Sequence, residues 1–342
     1  MMWQNLNTQS RVRIDMIQAC SINELSAFRI GHAQDETAAT GCTAIIAPAG
    51  ATCAVDVRGG GPATRETDLL RPENMIEKVH AVVLSGGSAF GLEASCGVMD
   101  ALAERRIGFE IAGACVPIVV GACLFDLPLG KPTHPDKEMG RAAAETALSD
   151  ESQSLLQGNI GAGCGATVGK LGAPQAAMKS GLGWTCLKAG DLIVGAIVAV
   201  NALGCVCDES GTWIAGVQDG NGGVMEPLSA MAQAVAAMQA QAQAEAAPRT
   251  NTTIGAVLTN AKLTKAQATK VASITHDAYA RAIKPVHTSN DGDTVFAFAS
   301  GEVDSTPDFV GVIAAEAMQQ AIINAVKSAE SAYGLTAARD LA

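Results

Sequence analysis

Apolar residues fall along this chain in short dense runs separated by glycine-rich and polar joints. The densest runs from Asp191 to Asn201, where Leu192 to Val200 carries no polar side chain. Such a run predicts a strand buried on both faces, with Asn201 at its mouth. A second apolar run follows Asn251-Thr252-Thr253, so it predicts a buried strand whose first residue carries a hydroxyl. A third opens after the turn Asp291-Gly292-Asp293. Thr264 to Ile283 between them predicts a helix.

Upstream, Gly41 to Ala47 and the alternating Ala51 to Arg58 predict a hairpin. Val79 to Leu84 predicts a short buried strand entering a helix that ends near Arg105. Val116 to Leu127 is apolar and ends at Phe125-Asp126, and Asp136 to Ala147 predicts a helix. The final helix, Val310 to Ser328, places Ile313, Ala317, Met318, Ile322 and Val326 on one side, ready to pack on a sheet. Residues 1–25 read as a lead-in and 26–342 as a single domain. Within it, 229–250 is rich in Ala, Gln and Met and is stopped by Pro248. That segment predicts a weak helix or a mobile linker where a chain can be cut.

Composition narrows the function. A hydrophobic share of 48% in 342 residues supports a substantial core. The 36 glycines and 4% aromatics imply tight turns and small-residue packing. A net charge of −11 argues against a nucleic-acid or acidic-membrane partner. No apolar run in the text reaches a membrane span, and the first thirty-odd residues show no export pattern, so the cytoplasm is the expected location. Ten scattered cysteines include no C-x-x-C pair. They read as small buried hydrophobes in a reducing compartment, with Cys205-x-Cys207 alternating along a strand. No metal and no cofactor are expected.

Three stretches invite chemical readings, two of them glycine-rich. Ser85-Gly86-Gly87-Ser88 fails the G-x-S-x-G elbow because Phe90 stands where the second Gly belongs. It can still present amides of Gly87 and Ser88 to an anion or a carbonyl oxygen, or simply form a tight strand-to-helix crossing. Gly161 to Lys170 resembles a phosphate loop only superficially, since Cys164 and Leu171 break the pattern. The third stretch surrounds Thr252. A free N-terminal Thr carries its own base, because an α-amine has a reference pKa of about 7.7–8.0. Attack by the Thr252 hydroxyl on the Asn251 carbonyl would create that terminus, leaving 1–251 and 252–342. Thr253 is an alternative cut position. Asp291 and Asp293, two residues apart, would share a face if a strand began there, and could hold the new ammonium group. Asp-Gly-Asp is also an ordinary turn.

These motifs together resemble the self-processing L-aminopeptidase/D-esterase family, which includes β-peptidyl aminopeptidases and 6-aminohexanoate-oligomer hydrolase. The matching text is Val57-Arg58-Gly59-Gly60 with Arg65-Glu66-Thr67, Leu84 through Ala94, the glycine-rich run to Lys170, Asn251-Thr252-Thr253-Ile254, and His287 through Thr294. The resemblance covers nearly the whole chain from about residue 25. It implies an α/β fold, a four-layer α/β/β/α sandwich like that of N-terminal-nucleophile hydrolases with different connectivity. It also implies a homo-oligomer of cleaved subunits acting on a small amide or short peptide. Thr252 takes the nucleophile's position, Asn251 the residue before the cut and Asn201 an oxyanion-steadying amide. Lys170, Asp291 and Asp293 resemble the polar set of the Thr-type oligomer hydrolases. Phe125 stands near the cleft where the family often has Tyr. An acyltransferase on the same self-cleaving logic and a non-catalytic binding protein are the rival readings.

Overall fold

In the computed structural model, residues 17–149, 155–240 and 251–341 are described. The main strands are β1 (Arg29–Asp35), β2 (Thr40–Val57), β3 (Val79–Ser85), β4 (Val119–Cys123), β5 (Leu182–Ala189), β6 (Leu192–Asn201), β7 (Thr252–Ala261) and β8 (Thr294–Val303). The helices are α1 (Ala94–Glu104), α2 (Lys137–Leu148), α3 (Pro227–Ala240), α4 (Lys265–Ala282) and α5 (Pro307–Ser328). Their starts follow from capping chemistry. The Asp136 carboxylate accepts from the Met139 amide at 2.9 Å, Thr264 and Gln267 form a capping box, and Thr306 precedes Pro307 at the start of α5.

The strands form two stacked sheets joined by one shared strand. β5, β6, β7, β8 and the second half of β2 make one sheet; β1, the first half of β2, β3 and β4 make the other. Pairing is antiparallel except between β7 and β8 and between β3 and β4. Alternation along each strand then splits the side chains between two layers. Ile254, Ala256 and Leu258 of β7 face inward and meet Phe296, Phe298, Ile45, Val82 and Leu84 between the sheets. Val257, Val198 and Val295 face outward under α4 and α5. Ala44, Ile46 and Val83 face outward under α1 and α2. The result is the expected α/β/β/α sandwich. Phe296 and Phe298 are fully buried, and each is worth roughly 1.5–3 kcal/mol of transfer free energy.

Close approach of helix to sheet explains part of the glycine content. A Cβ on Gly31 would collide with the Ala143 carbonyl of α2, and one on Gly183 with the Ala321 carbonyl of α5. By length and composition α5 could cross a membrane, yet it lays most of that apolar surface into the sandwich.

Three expectations need correction or refinement. The hairpin over 41–58 does not form: β2 runs through as one strand of 18 residues. Its first half pairs with β1 and β3 and its second with β8, so the chain passes from one sheet into the other. Pro48 lacks a donor, and Gly50 at φ 68° shifts the register locally, so the strand bends without reversing. Part of the lead-in is packed: Gln18–Ala19 pairs with β5, and Ile22 and Leu25 enter the inter-sheet core. The segment read as weak helix or linker is helical over Pro227–Ala240, held chiefly by buried Ala230, while 241–250 lies outside the described residues.

Candidate active site

Strand register assembles the site. β6 ends at Asn201 and β7 begins at Thr252, and antiparallel pairing sets these two residues opposite each other. β8 runs parallel to β7, so the loop ahead of it rises beside the same strand mouth and Asn251 bridges to Asp291. Gly59 and Gly60 make room for that loop, because a Cβ on Gly59 would collide with the Asp291 carbonyl. Asn201, Asn251, Thr252, Asp291 and Asp293 are all buried. The Thr252 hydroxyl donates to the carbonyl of Asn251, the bond it would attack. The Gly292 amide donates to that same oxygen at 3.1 Å.

The two carboxylates do different work. They do not share the face of a strand, because β8 begins only at Thr294 and both lie in the preceding loop. Asp293 accepts from the Thr253 amide at 2.7 Å through Oδ1. Through Oδ2 it accepts from the His287 amide at 3.1 Å and from His287 Nδ1 at 2.9 Å. A carboxylate acceptor places the proton on Nδ1. His287 sits at φ 57°, a conformation few non-glycine residues adopt, and this double contact with Asp293 holds it there. Its ring packs on His276, with centroids 4.8 Å apart, and on Tyr279. His276 reaches the Asp56 carbonyl through Nε2 at 3.0 Å, and burial holds its pKa down to about 4, so it is neutral. Asp291 accepts from the Thr288 amide at 2.6 Å. Burial, then the charge of Asp293, pushes its carboxyl above the ordinary range.

Lys170 reaches across to Asn201, donating to its Oδ1 at 2.6 Å and its backbone carbonyl at 3.0 Å. The Thr167 amide also donates to Asn201 Oδ1, at 3.0 Å, and Asn201 Nδ2 donates to the Phe125 carbonyl at 2.9 Å. Burial lowers the Lys170 pKa to about 7, against the opposing pull of Asp291 and Asp126. Near neutral pH a large fraction of this amine is therefore uncharged and able to accept a proton.

Of these groups Asn251, Thr167, Lys170 and Phe125 line a cavity of about 390 Å³, together with Asp126 and Leu203. Asp126 went unnoticed as a site residue in the sequence, although a charge ending an apolar run is the signal that points to it. Burial raises its pKa to about 6, against hydrogen bonds from the Gly87 amide and the Thr40 hydroxyl, each 2.7 Å. Those bonds change the reading of the Gly87-Ser88 turn. The Gly87 amide is committed to Asp126 and the Ser88 amide to the Leu124 carbonyl, so the turn braces Asp126 and does not offer these amides to a ligand. Phe125 does border the cavity and supplies no hydroxyl to it.

A stacked α/β/β/α sandwich with a buried hydroxyl, amide and carboxylates and a half-buried amine at one strand mouth is the build of a hydrolase acting on peptide or amide bonds, and comparison with known proteins agrees. The chain belongs to peptidase family S58, whose model matches residues 21–339. It is 38% identical over 347 residues to an uncharacterized aminopeptidase of Mycobacterium leprae, covering 92% of each chain. It is 35% identical over 315 residues to the 6-aminohexanoate-oligomer endohydrolase of Paenarthrobacter ureafaciens, covering 87% of this chain and 83% of that one. Among solved structures, a Burkholderia sp. β-aminopeptidase shares the fold, with TM-score 0.63, 20% identity and coverage of 90% and 86%. So does the L-aminopeptidase D-Ala-esterase/amidase of Ochrobactrum anthropi, a variant of the Ntn-hydrolase fold, with TM-score 0.61, 17% identity and the same coverage, 90% and 86%.

Proposed function

We propose that this hydrolase matures by cutting its own Asn251–Thr252 bond and then uses Thr252 as an N-terminal nucleophile. The observation that carries the reading is the Thr252 hydroxyl seated on the Asn251 carbonyl, which the Gly292 amide already polarises. In the first step Thr252 Oγ1 bonds to the Asn251 carbonyl carbon and the carbon–nitrogen bond breaks. A nearby base takes the hydroxyl proton and passes it to the Thr252 nitrogen, which leaves as an amine. Water then opens the ester, giving the Asn251 carboxylate and a free Thr252. Lys170 is the base this reading favours, since it faces Asn201, the pairing partner of Thr252, and is partly neutral at pH 7.

The mature site then accepts a small amide or short peptide with a free amino end. An acyl group transfers to Thr252 Oγ1 and water releases it. A cavity of about 390 Å³ has the volume of a small-molecule site. The Asp126 carboxyl in its wall suits a cationic amino group, whose charge would draw that raised pKa back down. The assembly we expect is a homo-oligomer of cleaved subunits.

Intact-protein mass spectrometry of the wild type beside Thr252→Ala tests the first step. Two fragments in the wild type, the smaller beginning at Thr252, with one uncut chain in the variant, support it. One uncut species in both overturns it.

A further inference from the structure

Far from the strand mouth, two cysteines face each other across the outer edge of the first sheet. Gln18–Ala19 pairs antiparallel with β5, with Ala19 opposite Leu187. The next pair in that register is Cys20 and Cys186, and the Cys20 amide donates to the Cys186 carbonyl at 2.9 Å. A hydrogen-bonded antiparallel pair holds its Cα atoms about 5.5 Å apart, inside the window of roughly 4.4–6.8 Å that a disulfide needs. The two Sγ atoms stand 2.9 Å apart, so the side chains already point at each other. Of the eight other cysteines, none has another sulfhydryl among its hydrogen-bond contacts in the described residues.

From this geometry we infer that Cys20 and Cys186 form a reversible dithiol/disulfide clip fastening the N-terminal segment to β5. Cys20 is half-buried and Cys186 is buried, which orders the chemistry. The Cys20 thiolate attacks one sulfur of a small-molecule disulfide and releases one small thiol. The Cys186 thiolate then attacks the Cys20 sulfur of the mixed disulfide and releases the second. The protein loses two protons and two electrons, and the small disulfide gains them as two thiols.

The clip has a structural load to carry. Directly after Cys20, Ile22 and Leu25 enter the inter-sheet core and lie against Gly195 of β6. The segment is therefore a plug over the end of that core, joined to the edge strand by few backbone bonds. A bridge between residues 166 apart in sequence removes much of the freedom of the unfolded chain. Oxidation should lock the plug and reduction should release it.

The test uses the full chain treated with oxidised glutathione, then digested with trypsin without reduction. Cleavage after Arg13, Arg29, Lys179 and Lys188 leaves one cysteine in each of the peptides 14–29 and 180–188. The expected result is those two peptides joined, lighter by two hydrogens than their sum, and separated again by dithiothreitol. The oxidised protein should also unfold at a temperature a few degrees higher. Cys20→Ser, a change at a half-buried position, should abolish both the link and the shift. Three results would overturn the inference: both thiols still alkylating fully after treatment, glutathione remaining on Cys20 with Cys186 free, or a thermal shift that persists in Cys20→Ser. None of these readouts depends on Thr252 or on self-cleavage.

Discussion

Lys170→Met separates a catalytic amine from a structural one. Lys170 is half-buried with its amine on two oxygens of Asn201, and desolvation lowers its pKa from 10.5 to about 7. Two consequences follow, one kinetic and one thermodynamic. If the neutral amine takes the Thr252 proton, removing it should slow self-cleavage by roughly 10²–10⁴-fold, the usual worth of a positioned general base. The wild-type rate should also climb as pH rises through about 7 and then level, while the variant's residual rate loses that step. For stability, the folded pKa lies below the unfolded one, so the unfolded chain binds more protons between about pH 7 and 10.5. Wild-type stability should therefore rise with pH across that window. Burying the charge costs on the order of 4 kcal/mol near pH 7. Met avoids this cost, and Asn201 keeps the Thr167 amide on its Oδ1. The variant should thus be no less stable at pH 7 and show a shallower pH slope. Lys179, another buried amine lowered to about 7, supplies the slope that remains. Cleavage can be followed by gel densitometry of freshly refolded protein at a series of pH values, and stability by chemical denaturation of uncleaved Thr252→Ala and Thr252→Ala/Lys170→Met. A Lys170→Met protein that cleaves at the wild-type rate with an unchanged pH profile would refute the base assignment.

Asp293→Asn should impair self-cleavage and destabilise the fold by about 1–3 kcal/mol, because an amide nitrogen turned toward either the Thr253 or the His287 donors leaves a buried donor unpaired. Urea denaturation and a cleavage time course check this, and wild-type values in both would show that the three bonds to Asp293 are dispensable. Gly292→Ala places a methyl 2.8 Å from Thr252 Oγ1, so it should push the hydroxyl off the Asn251 carbonyl and slow cleavage more than it lowers the unfolding temperature. Equal cleavage rates for Gly292→Ala and wild type would argue that the hydroxyl reacts from another position.

Local sequence carried a good deal of this protein. The long apolar run to Asn201, the hydroxyl-led strand at Thr252 and the capped helix after Thr264 are written in periodicity and cap chemistry, which act over a few residues. The glycine and cysteine content likewise announced close packing. Whether a polar residue is in the site, and what it touches, was not legible, because that depends on partners distant in the chain. Asp291 and Asp293 look equivalent two residues apart. Folding gives one of them the Thr253 and His287 amides and leaves the other raised by burial.

The same limit applied to the Gly87-Ser88 turn, whose Gly87 amide is claimed by Asp126 from another strand's end. It applied as well to β2, which alternates like two hairpin arms until two different sheets compete for its halves. The sequence by itself determined which segments become strands and helices and which chemical groups are available. Tertiary structure alone decided which groups meet, because strand register aligns Asn201 with Thr252 and Asn251 with Asp291, and burial then sets their proton affinities.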